Sequence, residues 1–159
     1  MNYMKLIKLM YLADRKALLT WGRPITFDRY VCMRHGPVLS GVLDRVNEGD
    51  PPGESSFWHR HINRTSRYQV GVKRECAPTR ISDAEARVLK EVFEEHGRQD
   101  RWALVEHLHD ALDEWKDPGG SSLPIEYRDI LLAAGRSEME AASIVEEIEQ
   151  LALLDQFLD

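Results

Sequence analysis

The chain has little cysteine: two residues among 159, at positions 32 and 76. Their separation fits neither a CxxC redox motif nor a zinc-binding pair. We therefore expect free, buried thiols rather than a disulfide framework. A chain of this length can bury an ordinary hydrophobic core without such staples, so we expect one domain over residues 1–159.

Long apolar runs and catalytic motifs are also missing. No stretch approaches the ~20 apolar residues of a membrane-spanning helix, and the first residues lack a charged-then-apolar export pattern. The sequence therefore predicts a cytoplasmic protein with no membrane contact. It contains no phosphate-binding loop, and Ser40 lacks the flanking glycines of a nucleophile elbow. These absences favour a binding module over an enzyme.

Charge is distributed unevenly along the chain. Residues 1–80 carry 14 Lys and Arg against 7 Asp and Glu, whereas residues 81–159 carry 7 against 20. Either the basic half faces a partner, or the two halves pack with complementary charge. Because the basic residues are scattered among apolar ones and form no dense stripe, we do not expect direct binding of nucleic acid.

Helical periodicity dominates the sequence. Residues 4–19 carry apolar side chains at helical spacing and end at Gly22 and Pro24. Thr26 or Asp28 is expected to cap a second helix over residues 29–34, and Pro37 to open a third. In the second half, capping boxes at Ser82 and Ser137, together with Asp100, predict three helix starts, and Pro124 is expected to begin a short helix.

One segment has strand character. Residues 57–62 and 68–72 are aromatic or β-branched at alternating positions and flank turn-like residues 63–67, which predicts a β-hairpin. The predicted fold is therefore mostly α: a compact domain of about six to seven helices with one small hairpin at residues ~57–72.

Histidines allow a weak metal hypothesis. On the predicted strand, His59 and His61 would share one face, where a carboxylate or Cys32 could complete a site. On a helix, His107 and His109 would point in different directions and could not bind one ion together. We predict no metal site, and a metal-dependent hydrolase is the weakest functional alternative.

The last apolar segment, Leu151–Leu158, has more apolar residues than one helical stripe requires. Burial against the N-terminal helix and presentation to a partner are both consistent with it.

The helix before the Asp117–Ser122 loop has apolar markers at Trp102, Leu104, Leu108 and Trp115.

Several segments, in their order and spacing, resemble the Panacea domain, the SocA-like antitoxin domain. They are Lys8–Asp14 (KLMYLAD), Gly22–Thr26 (GRPIT), Tyr30, Gly36–Val38 (GPV) and Pro124–Leu131 (PIEYRDIL). The resemblance runs from about residue 3 to residue 152. Many members have a further helix before the Lys5–Leu9 segment, and the sequence leaves open whether one is missing here. We expect structural roles for the following motif positions: Leu9, Tyr11, Gly22, Gly36, Pro37 and Val38.

The resemblance implies an antitoxin that neutralises a cognate toxin by direct protein contact, without catalysis and without a cofactor. One branch of the family acts instead as an adaptor that delivers its toxin to a protease, which is the main alternative. Aromatic and arginine side chains anchor many protein interfaces. We therefore expect partner contacts from Tyr30, Arg34 and His35, ahead of the Gly-Pro pair, and from Trp115. For Tyr30, a place in the core is equally consistent with the sequence.

Overall fold

Helix α1 (Tyr3–Trp21) lies at the centre of the computed structural model. The Asn2 side chain accepts a hydrogen bond from the backbone N–H of Lys5 (3.3 Å) at its start. At its end Gly22 adopts a positive φ of 82°, which glycine tolerates at a helix C-terminus. Helix α1 packs against residues of both halves of the chain, and both sides of the helix contribute to the core.

The structure describes residues 1–49, 57–75 and 80–158. After α1 the elements are β1 (Tyr30–Met33), β2 (Gly36–Leu39), α2 (Ser40–Glu48), α3 (Phe57–His61), β3 (Ile62–Ser66), β4 (Gln69–Val72), α4 (Asp83–His96), α5 (Arg101–Ala111), β5 (Leu123–Ile125), α6 (Tyr127–Ala133) and α7 (Glu138–Leu158). The mostly α prediction with a small hairpin is confirmed.

The predicted second helix over residues 29–34 is wrong. That segment forms β1, which pairs antiparallel with β2 on one side and with β5 on the other. Pro37 accordingly lies in a strand and not in the first turn of a helix. It is tolerated because β2 is at the edge of this sheet, where a missing N–H removes no ladder bond.

Asp28 does cap a helix, but a later one than predicted. Its carboxylate accepts hydrogen bonds from the backbone N–H groups of Gly41 and Val42, both at 2.9 Å, in the first turn of α2. A Cβ at position 41 would lie 2.7 Å from Asp28 Oδ1. Glycine there permits the carboxylate to approach the helix end.

The hairpin at residues 57–72 exists with shifted boundaries. Residues 57–61 form α3, and the strands are β3 and β4, so His59 and His61 lie in a helix and not on a strand. The His59 side chain lies outside the described residues, as does Cys76. Pro124 is in β5, and the expected short helix begins at Tyr127. Cys32 is a free, buried thiol.

A buried carboxylate fixes the turn between α1 and β1. Asp14, 1% exposed, accepts hydrogen bonds from the backbone N–H groups of Ile25 (3.0 Å) and Thr26 (3.1 Å), and from the hydroxyls of Thr26 and Tyr30. Burial raises the pKa of this carboxyl, and the hydrogen bonds from Thr26 and Tyr30 oppose the shift. Asp14 is thus fully partnered within the core.

The C-terminal part of α7 is exposed where its side chains are described: Leu151 is 43%, Leu153 56% and Leu154 58% accessible. Of the two alternatives for this segment, burial against α1 is therefore not seen for these three residues. Among the residues that the structure describes, no helix combines the length and apolar character needed to cross a membrane.

Replacing Asp14 by alanine should destabilise the fold strongly, because four donors then lose their acceptor in a buried setting. We expect the free energy of unfolding to fall by roughly 4 kcal/mol for Asp14→Ala and by less for Asp14→Asn, which keeps one acceptor oxygen. Chemical denaturation measures both. Asp44→Ala, which breaks a surface ion pair with Arg29, should cost under ~0.5 kcal/mol. Equal losses for Asp14→Ala and Asp44→Ala would contradict the structural role.

Candidate functional site

The structure places the sequence motif residues mainly inside the protein. Leu9 and Tyr11 are buried on α1, and Pro37 and Val38 are buried in β2. Gly22 ends α1, and Gly36 begins β2 with a positive φ of 95°. These positions set the path of the backbone and fill the core.

Tyr30 lies in the core at 3% exposure. Its ring contacts those of Tyr11 and Tyr127 edge-on, with centroids 5.3 and 5.6 Å away. Burial and the nearby Asp14 carboxylate raise the pKa of its hydroxyl above the ordinary range. In this conformation Tyr30 offers a partner almost no surface.

Trp115 has a structural contact on each side. Its ring stacks on His109 with centroids 3.8 Å apart, and its Nε1–H donates to the Met33 carbonyl at 3.1 Å. These contacts attach the chain after α5 to the end of β1. Trp115 is half-buried and lies beside the turn that carries Arg34 and His35.

Arg34 and His35 are exposed at the turn between β1 and β2. The His35 ring meets the Trp102 ring edge-on at 5.3 Å. Trp102 lies in the first turn of α5 and is 46% exposed. Of the residues predicted from sequence, His35 therefore belongs to an exposed aromatic surface.

Further aromatic and arginine side chains extend this surface. Tyr3 stacks on Tyr68, with centroids 6.4 Å apart, and Tyr68 is 47% exposed. Three guanidinium groups lie over rings: Arg64 over Tyr3 at 5.5 Å, Arg67 over Tyr68 at 5.1 Å and Arg101 over Trp102 at 5.3 Å. We call this set the aromatic–arginine surface; its members are Tyr3, His35, Arg64, Arg67, Tyr68, Arg101 and Trp102.

A cavity of about 350 Å³ lies in this surface, and both Tyr68 and Trp102 line it. Backbone hydrogen bonds attach the β3–β4 hairpin to the start of α1: Tyr3 N–H donates to the Tyr68 carbonyl at 3.1 Å, and Val70 N–H donates to the Met1 carbonyl at 2.9 Å. Tyrosine, tryptophan and arginine are the residue types that most often carry binding energy at protein interfaces. The arrangement suits contact with an acidic protein surface.

Sequence reasoning did not identify Tyr68 or Trp102 as surface residues. Trp102 was expected to mark the apolar face of its helix, but the buried apolar residues of α5 are Leu104, Val105 and Leu108. A signal was available, since Trp102 is two residues from Leu104 and thus faces away from it on a helix. No local pattern would have brought Tyr68 beside Tyr3.

A buried lysine, Lys8, lies next to strand β2. The Lys8 side chain is 1% exposed, and its Nζ donates to the Pro37 carbonyl at 3.4 Å. Burial lowers the pKa of this amine from its ordinary 10.5 to about 8. Burial also lowers the pKa of His109, and the neighbouring Lys8 and His35 add to that effect.

Within residues 1–49, 57–75 and 80–158, no three His, Cys, Asp or Glu side chains come together in an arrangement that could hold a metal ion. Cys32 is close to the Glu114 carbonyl (4.0 Å) and the Lys116 N–H (3.4 Å). These hydrogen-bond contacts of the Cys32 thiol are backbone groups and not the side chains of His59 or His61.

Replacing Lys8 by methionine should stabilise the protein at neutral pH. Because the folded state holds the proton less tightly than the unfolded state, the buried charge is unfavourable below pH 8, and the penalty vanishes above pH 10.5. The expected gain for Lys8→Met is at most about 3 kcal/mol at pH 7 and shrinks towards pH 10. Urea unfolding across this pH range measures it, and a gain independent of pH would exclude this electrostatic origin.

Comparison with known proteins identifies the family. The sequence model of the antitoxin SocA-like family, Panacea domain, matches residues 6–116. No curated protein and no solved structure matches the chain significantly. The matched region runs from within α1 to beyond α5 and includes Leu9, Tyr11, Gly22, Gly36, Pro37 and Val38, whereas the Pro124–Leu131 segment lies outside it. The chain therefore belongs to the SocA-like antitoxin family with a Panacea domain.

Proposed function

We propose that this protein is an antitoxin that neutralises a cognate bacterial or prophage toxin by binding it directly, without catalysis or a cofactor. The family match over residues 6–116 carries the proposal, since it associates the chain with the antitoxins of toxin–antitoxin systems. Contact between α1 and elements of both halves supports treating residues 1–159 as one domain. A free buried thiol at Cys32 supports a cytoplasmic location.

The aromatic–arginine surface is our candidate for the toxin contact. It combines two half-exposed aromatic side chains, Tyr68 and Trp102, with three arginines stacked over rings. Side chains held in this way lose little conformational freedom on binding, which favours affinity. Of the residues predicted from sequence, His35 stays in this proposal and Arg34 is its neighbour in the chain. Trp115 donates to the Met33 carbonyl next to the β1–β2 turn, and Tyr30 lies in the core.

The positive charge of this surface suggests an acidic partner face. Residues 1–80 carry most of the positive charge of the chain, and Arg64 and Arg67 come from this half. Opposite charge accelerates association and is screened by salt. Because the matched family is one of antitoxins, the partner is proposed to be a protein, and an acidic contact region on it would complement these arginines.

Co-expression tests the proposed function. The protein encoded next to this chain should arrest growth when expressed alone, and this chain should relieve the arrest. With purified components, we expect stoichiometric inhibition of the toxin in the absence of any protease, because direct binding is sufficient. Relief in cells that requires a protease, without inhibition by the purified chain, would favour the adaptor alternative. Arrest that the chain fails to relieve would contradict the proposal.

Two substitutions test the surface. Tyr68→Ala and Trp102→Ala should each weaken toxin binding by roughly 10- to 100-fold, as loss of an interface anchor does, while thermal stability changes little. Raising the salt concentration should slow association of the wild-type protein. Surface plasmon resonance measures both effects.

A matched control lies on another face of the molecule. Leu154→Ala and Met139→Ala remove exposed apolar side chains from α7. If these variants lost affinity and the Tyr68 and Trp102 variants did not, α7 would be the contact surface. An association rate indifferent to salt would remove electrostatic steering from the proposal.

A further inference from the structure

Beside the aromatic–arginine surface is a second, smaller cavity of about 190 Å³. Its lining is mostly apolar and includes Met4, Ile7, Val38 and Leu43, while Lys8 contributes its only buried cation. Tyr3 and His35 line both cavities, so the two are neighbours. A volume of this size can admit a side chain and is larger than one water requires.

The Lys8 ammonium is poorly satisfied where it lies. It has three donors, but its hydrogen bond is a single long one, 3.4 Å to the Pro37 carbonyl. Among the residues that the structure describes, no carboxylate lies within ion-pair distance of it. Asp14, on the same helix, is by contrast surrounded by donors. A buried charge without a counter-ion is unfavourable and favours the arrival of an anion.

A nearby ring nitrogen has no hydrogen-bond partner among the described residues. His109 Nε2 is buried and makes no hydrogen bond among the described residues. A Cβ built on Gly36 would lie 3.1 Å from Lys8 Nζ and 3.8 Å from His109 Nε2. Glycine at position 36 therefore leaves open the space next to both nitrogens.

The charges facing this space are mainly positive. Lys8 lies on α1 and His109 on α5, while Arg34 and His35 are exposed at the mouth on the β1–β2 turn. Asp110 and Asp117 act on the His109 ring. An inorganic anion would find few donors against these apolar walls, whereas a carboxylate on an aliphatic stem matches both the walls and the cation.

We propose that this cavity receives an acidic side chain from the bound toxin, whose carboxylate pairs with Lys8 Nζ while its stem packs against Ile7 and Val38. This inference rests on the proposed function for the identity of the partner. Glutamate combines an aliphatic stem, which matches the apolar walls, with a carboxylate, which matches the Lys8 ammonium. Lys8 would then act as a binding residue that discriminates between acidic and neutral side chains.

A test without the toxin uses 4-methylpentanoate as the probe and 4-methylpentanamide as its neutral control. In titrations followed by NMR, the carboxylate should shift the Gly36 amide and Lys8 side-chain signals saturably in the millimolar range, and the amide should not. Lys8→Met should abolish these shifts. Lys16→Met, which removes an exposed amine of α1 paired with Glu91, should retain them. Absence of saturable shifts in the wild-type protein would overturn the proposed site.

In the complex, the inference predicts proton uptake. A carboxylate next to Lys8 raises the pKa of its amine again, so binding between pH 8 and 9 should take up protons. Calorimetry in two buffers of different ionisation enthalpy measures this uptake. Lys8→Met should eliminate it and weaken affinity at least about tenfold, and Lys16→Met should do neither.

The toxin side provides the complementary measurement. One Asp→Asn or Glu→Gln substitution on the toxin should reproduce the loss seen for Lys8→Met, and the double mutant should lose no more than either single mutant. If Lys8→Met bound the toxin with the affinity and the proton uptake of the wild-type protein, this inference would be overturned. The proposed antitoxin function would not be affected. Failure of the wild-type chain to bind the toxin would instead overturn the proposed function. The probe titration would then still show whether the cavity binds a carboxylate.

Discussion

The structure depends on how one buried carboxylate is satisfied. Asp14 accepts hydrogen bonds from the backbone and hydroxyl of Thr26, from the Ile25 N–H and from the Tyr30 hydroxyl. These donors come from the turn after α1 and from the first residue of β1. The carboxylate therefore directs the chain from α1 into the sheet, and it sets the position of the β1–β2 turn with Arg34 and His35.

A second carboxylate attaches the other half of the chain to the same helix. Glu114 follows α5, is 6% exposed, and accepts from the Tyr11 hydroxyl at 2.9 Å and from Arg15 Nε at 2.6 Å. Burial, and then the neighbouring Glu114, raise the pKa of Tyr11 above its ordinary value. Stacking of Trp115 on His109 continues this attachment to β1. The β1–β2 turn and the end of α5 are thus both held in place by contacts with α1.

Against these satisfied groups, Lys8 is an exception. Asp14 and Glu114 have donors matched to their oxygens, whereas Lys8 has one long hydrogen bond and a lowered pKa. Charge in a core lowers stability unless it is paired, and groups kept under such conditions concentrate at functional sites. In our proposal, the adjacent cavity, with Arg34 in its lining, gives this charge a role in binding. The same region of α1 therefore serves both the core and the surface.

Local signals in the sequence were sufficient for most of the helices. Ser82 and Asp100 accept hydrogen bonds from the first turns of α4 and α5 as expected, and Asn2 does the same for α1. The Ser137–Glu140 pair makes its capping box at α7. Each of these signals acts within four residues, so it is readable without the fold. The family was also recognisable from the order of its motifs, because the motif residues form turns and fill core positions that follow one another along the chain.

The sheet and the site were decided by contacts between distant residues. Residues 30–33 are too few to show a period, and their strand conformation depends on pairing with β2 and with β5, which is more than ninety positions away in the chain. Tyr68 and Trp102 become parts of one surface only when the β3–β4 hairpin and α5 pack beside the start of α1. The sequence alone determined most of the helices, several of their caps and the family. Tertiary structure decided which side chains meet at the surface, because hydrogen bonding between strands and burial of a charge are properties of the assembled fold.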